Sequence, residues 1–126
     1  MKPVGSGIDI VEIRRLQEII EKNGERFYEK ILHPFELQEL QQWNDKTAFI
    51  AKRFAVKEAT SKALGTGIGK QLSFKDMYVD HDNLGKPILV FTEECRQRLN
   101  LEDKHSLLTI ADEKEYAVAH VMIFTD

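Results

Sequence analysis

Residues 47–64, TAFIAKRFAVKEATSKAL, constrain the fold more than any other stretch of the chain. Asn44 or Asp45 can cap a long helix running through this segment, and Gly65 can end it. At about 100° per residue, Ala51, Ala55 and Ala59 form one ridge of small side chains, as expected where a helix packs closely against another element. Arg53, Lys57 and Thr60 are expected to point away from that ridge. Glu58 and Lys62 fall on the packed face or at its edge, beside Phe54. As a solvated i,i+4 pair they would contribute about 0.2–0.5 kcal/mol. Their place on this face makes them candidates for chemistry as well.

A second anomaly lies near the N-terminus. Gly7, Ile8, Ile10, Val11 and Ile13 in GIDIVEI read as a buried strand, at about 4–10, leading into a helix, yet Asp9 stands among them. Burying a carboxylate without a partner costs several kcal/mol, roughly. Either a partner compensates Asp9 or the run is less buried than it looks. Asp9 and Glu58 account for one another if both face a common space, because two such carboxylates need a proton or a cation between them. Hard oxygen donors without a thiolate favour Mg²⁺, which takes one or two carboxylates and fills its octahedron with water and phosphate oxygens. Lys62 would then meet phosphate charge beside the metal.

The rest of the chain supplies the scaffold. Ile13, Leu16, Ile19 and Ile20 recur at helical spacing up to Asn23-Gly24, RFYEKIL suggests a second short helix, and Pro34 opens a third. DMYVD and ILVF read as strands around an Asn/Gly/Pro turn, Thr92 can cap EECRQRLN, and HSLLTIAD and EYAVAHVMIF are β-rich runs. The last run is apolar on both faces, as a central strand would be. The class is α+β, one domain over 1–126, with N-terminal helices packed on an antiparallel sheet.

Composition narrows the function. A net charge of -3 speaks against bulk nucleic-acid binding, and no apolar run approaches the ~20 residues needed to span a bilayer. The lone Cys95 excludes a disulfide framework within the chain and a cysteine-built zinc site, and MKPVGSGIDI lacks a signal-peptide core. A cytoplasmic protein is expected. GTGIGKQ is not a P-loop, since Leu64 and Gln71 stand where Gly and Ser or Thr are required and a helix precedes it. The four histidines show no metal spacing and no adjacent nucleophile. Arg14, Arg15, Lys22, Arg26 and Lys30 in the first two helices form either a solvated face or a docking patch for an acidic partner.

GIDIVEI and RFAVKEATSKALGTGIG together resemble the two signatures of the bacterial holo-acyl-carrier-protein synthases, within the 4′-phosphopantetheinyl transferase superfamily. QLSF, GKP and EYAVAHV extend the resemblance over nearly the whole chain. It implies the phosphopantetheinyl transferase fold and transfer of 4′-phosphopantetheine from coenzyme A to a serine of apo acyl carrier protein, in support of fatty acid synthesis. Asp9 and Glu58 would hold Mg²⁺, and Glu58 would also take the serine proton while Lys62 neutralises phosphoryl charge. Arg53, Lys62, Gly65, Lys86 and Pro87 would line the coenzyme A site, and Arg15, Arg26 and Phe27 the carrier-protein surface. The resemblance further implies a homotrimer. One departure is Asp112, which stands where the family usually has His and is expected to weaken nucleotide binding. A magnesium-dependent phosphodiesterase, or an oligomeric binding module with a structural Glu58–Lys62 bridge, are the rival readings.

Overall fold

The protein is described over residues 1–126 by a computed structural model. Strand β1 (Lys2–Glu12) runs into α1 (Ile13–Asn23), α2 (Glu25–Ile31), α3 (Pro34–Leu40) and the long α4 (Lys46–Leu64). A short 3-10 turn precedes β2 (Met77–His81) and β3 (Pro87–Phe91), and α5 (Glu93–Arg98), β4 (Lys104–Asp112) and β5 (Tyr116–Thr125) follow. The ends obey local chemistry. Asp45 accepts the Ala48 amide at 3.0 Å, Thr92 accepts that of Cys95 at 3.3 Å, and Gly65 closes α4 in the left-handed region at φ 75°.

The strands form two sheets where one was expected. One is three-stranded and antiparallel in the order β1-β5-β4, with β5 central as its two-sided apolar character indicates. The other is the β2-β3 hairpin, whose strands pair only with each other. Helix α4 lies across the inner face of the larger sheet, against Ala117, Ala119, Val121 and Ile123 of β5.

β1, one of the sheet's two edge strands, differs from its expected burial. Its alternation turns Gly5, Gly7, Asp9 and Val11 toward α4 and leaves Ile8 and Ile10 more than half exposed on the opposite face. The run is thus less buried than its composition suggests, and Asp9 is on the helix side. At Gly5 and Gly7 the strand backbone rests directly on the helix. A Cβ at either position would fall inside contact distance of a carbonyl oxygen, that of Ala63 or Ala59 respectively.

Arg53, Lys57 and Thr60 lie away from the alanine ridge as expected, but the far side of α4 is a second packed face. All three are buried, Lys57 completely. Lys57 Nζ donates to Glu36 Oε1 at 2.6 Å and to the Ile31 carbonyl at 2.7 Å. Glu36, equally inaccessible, also accepts the His33 and Val79 amides at 3.0 Å each. Arg53 stacks on Phe49 and pairs with Glu39 at 3.3 Å. Helical periodicity names one packed face, but α4 has a sheet on one side and α2, α3 and β2 on the other. Cations facing the second side are retained because Glu36 and Glu39 meet them there.

Gly7→Ala should therefore cost about 1–3 kcal/mol in urea denaturation, because the strand must lift off α4. Gly69→Ala, where a Cβ meets nothing within 4 Å, should stay within about 0.5 kcal/mol. Equal effects would refute the close-approach account.

Candidate functional site

Strand β1 reaches α4 with Asp9 two residues beyond Gly7, so the strand's contact with the helix delivers the carboxylate to the last turns of α4. There Lys62 Nζ donates to the Ile8 carbonyl at 2.8 Å and to Asp9 Oδ1 at 3.1 Å. Lys62 thus pairs across the strand and not with Glu58 along its own helix. Glu58, one turn earlier and half-buried, has its carboxyl pushed up by burial and next by the Asp9 charge, with Lys62 opposing. Asp9, Glu58 and Lys62 form one electrostatic group.

Asp9 and Glu58 open onto a cavity of about 510 Å³. Its walls are Val11 and Glu12 of β1, Arg15, Leu16 and Ile19 of α1, Phe27 of α2, Phe54 of α4 and Tyr116 of β5. Two of the residues assigned to partner docking, Arg15 and Phe27, therefore share this space with the carboxylates. Arg26 borders the adjoining groove with Asn23, Phe27 and Lys30. The remaining candidates lie outside the cavity wall. Arg53 is held beneath the surface by Glu36 and Glu39, Gly65 caps α4, and Lys86 and Pro87 form the β2-β3 turn and the start of β3. Asp112 ends β4 opposite Ala117, exposed to solvent.

Tyr116 and Glu12 were not legible as wall residues. They sit opposite one another only because β5 pairs with β1 across the length of the chain. No local pattern encodes that pairing.

No three carboxylate, histidine or cysteine side chains are placed together so as to hold a metal ion. Two hard carboxylates facing one cavity still fit Mg²⁺, which takes few protein ligands. Burial first, and then the Asp9 charge, raise the Glu58 carboxyl, and a cation between the two carboxylates would relieve the second of these effects.

Comparison with known proteins agrees with this architecture. Residues 5–121 match the family model described as the 4′-phosphopantetheinyl transferase superfamily, and the chain belongs to that family. Within it, the chain is similar to proteins named holo-[acyl-carrier-protein] synthase. One from Shewanella frigidimarina is 47% identical over 98% of each chain. The crystal structure of the synthase from Neisseria meningitidis superposes with a TM-score of 0.92 at 36% identity, covering 99% of this chain and 100% of that one. That of Bacillus anthracis, in complex with CoA (3′,5′-ADP), gives 0.85 at 39% identity with 100% of both covered.

A raised carboxyl makes a sign-definite prediction. Glu58 contributes stability below the range of a free carboxyl, and that contribution is lost as pH rises through its folded value. In metal-free buffer Glu58→Gln should melt above wild type at about pH 7, with the difference shrinking toward about pH 4. A pH-independent difference in thermal melts would refute the assignment.

Proposed function

We propose that this protein transfers the 4′-phosphopantetheine group of coenzyme A to a serine of an apo acyl carrier protein, in the cytoplasm, in support of fatty acid synthesis. The observation that carries the reading is the meeting of Asp9, Glu58 and Lys62, from two elements distant in sequence, with Asp9 and Glu58 opening onto one cavity and Lys62 held at Asp9. The family model, the relatives named holo-[acyl-carrier-protein] synthase and the B. anthracis synthase in complex with CoA (3′,5′-ADP) support this reading.

In this reading the serine oxygen forms a bond to the phosphorus that carries pantetheine. The bond from that phosphorus to the departing adenosine 3′,5′-bisphosphate breaks, and its electron pair leaves with the bisphosphate. Glu58 takes the serine proton, a role suited to a carboxylate whose proton affinity is raised by burial and by Asp9. Lys62, already held at Asp9 and more than half exposed, is placed to meet phosphoryl oxygens. Asp9 and Glu58 would hold Mg²⁺, which when bound supplies charge neutralisation at the pyrophosphate. Phosphoryl transfer requires mainly positioning and charge stabilisation, so a site this spare suffices.

Arg15 and Arg26 would meet an acidic carrier protein beside the cavity, with Phe27 as an apolar contact at its wall. Gly65, Lys86, Pro87 and Arg53 would serve the nucleotide end, Arg53 from beneath the surface. The homotrimer belongs to the same proposal. Its support is the bare face of the larger sheet, where Val4, Ile8, Ile10 and Leu107 are each more than half exposed.

The test is intact-mass analysis of an apo acyl carrier protein incubated with this protein, coenzyme A and Mg²⁺. A phosphopantetheine-sized gain is expected, lost with EDTA and slowed at least ~100-fold by Asp9→Asn or Glu58→Gln. No gain with several carrier proteins from a folded preparation would sink the reading. Ile8→Lys, aimed at the bare sheet face, should convert the oligomer to monomer in light-scattering chromatography; an unchanged mass would remove that face from the interface.

A further inference from the structure

The buried pair Lys57–Glu36 has no part in the chemistry above, yet Lys57 directly precedes Glu58. Its ammonium reaches the far end of α2, donating to the carbonyl of Ile31, the last residue of that helix, at 2.7 Å. Helix C-terminal carbonyls lack partners within the helix, and a cation there also meets the negative end of the dipole. α2 needs such an anchor. It has only seven residues, too few to persist on propensity alone, and no side chain caps its N-terminus at Gly24. Phe27 lies one turn before Ile31 on the same face, so the set of the helix at Ile31 decides how Phe27 enters the cavity beside Glu58.

The other end of the contact is fixed as firmly. Glu36 takes Lys57 at 2.6 Å and the His33 amide at 3.0 Å on one oxygen, and the Val79 amide at 3.0 Å on the other. One carboxylate therefore joins α3, α4 and β2. An apolar pair could fill the same volume at little or no cost in stability, so the ions are better explained by the geometry they impose.

We propose that Lys57 and Glu36 are positioning residues that hold the docking helix α2, with Arg26 and Phe27, in register with the catalytic helix α4. The proposal rests on the transferase reading and adds a specific consequence. Loss of the tie weakens capture of the carrier protein while leaving coenzyme A binding in place.

Single substitutions leave one charge buried and can unfold the protein, so the decisive variant is Glu36→Gln with Lys57→Met, which removes both charges at similar volume and leaves the buried Arg53 paired with Glu39. It should fold, raise KM for apo acyl carrier protein about tenfold or more, and change KM for coenzyme A less than about twofold. Amide hydrogen exchange should show protection lost in α2 and kept in α4. Unchanged or equally raised KM values, a loss confined to kcat, or α2 protection equal to wild type would overturn the proposal. So would failure of the double variant to fold, which would make the pair a requirement of the core and not a device for α2. Should wild type itself form no holo product, the transferase reading falls, and exchange in α2 alone decides whether the tie exists.

Discussion

The contact of β1 on α4 is the constraint from which the site follows. Two glycines let a strand backbone lie on the carbonyls of Ala59 and Ala63, closer than any side chain would allow. The direct approach puts the Ile8 carbonyl and the Asp9 carboxylate within reach of Lys62, and it sets the Asp9 charge against Glu58. The alanine ridge of the helix and the Gly-x-Gly-x-Asp alternation of the strand are the two halves of one surface. Their complementarity is backbone against backbone, so it tolerates almost no adjustment. A side chain held this way is positioned by secondary structure and not by loops.

The second face of α4 is organised by charge. Glu36 gathers an ammonium and two backbone amides at a site inaccessible to water, with Arg53 alongside. Such a cluster imposes directions that an apolar core does not, because hydrogen bonds tolerate less rotation than dispersion contacts. The helix bearing Glu58 is thus held by a sheet on one side and by directed polar contacts on the other. Between them the cavity opens at the edge where β1, α1 and α2 meet, with basic residues on the helices that frame it.

Element positions were largely legible in the sequence, because their signals are local. Asp45, Thr92, Gly65 and Pro34 punctuate the chain where the structure ends or starts its helices. The β5 run declared a central strand by carrying apolar residues on both faces. Asp9, Glu58 and Lys62 were visible as misfits, polar groups on faces otherwise fit for burial. What misled was the assumption that periodicity reports one packed side. It read Ile8 and Ile10 within a buried run, where the structure leaves them more than half exposed, and it named no second packed face behind Arg53 and Lys57, which the structure buries.

By itself, then, the sequence determined the elements, the α+β class and the three residues that meet at the site, since caps, turns and misplaced charges are properties of neighbouring residues. Only the tertiary structure decided which strands took the edges, that the hairpin forms a separate sheet, and that Lys57 should find Glu36. It also decided that Tyr116 would close a cavity begun at Asp9. These depend on pairings between segments far apart in the chain, and whether an apolar or charged side chain is buried is settled by what arrives opposite it.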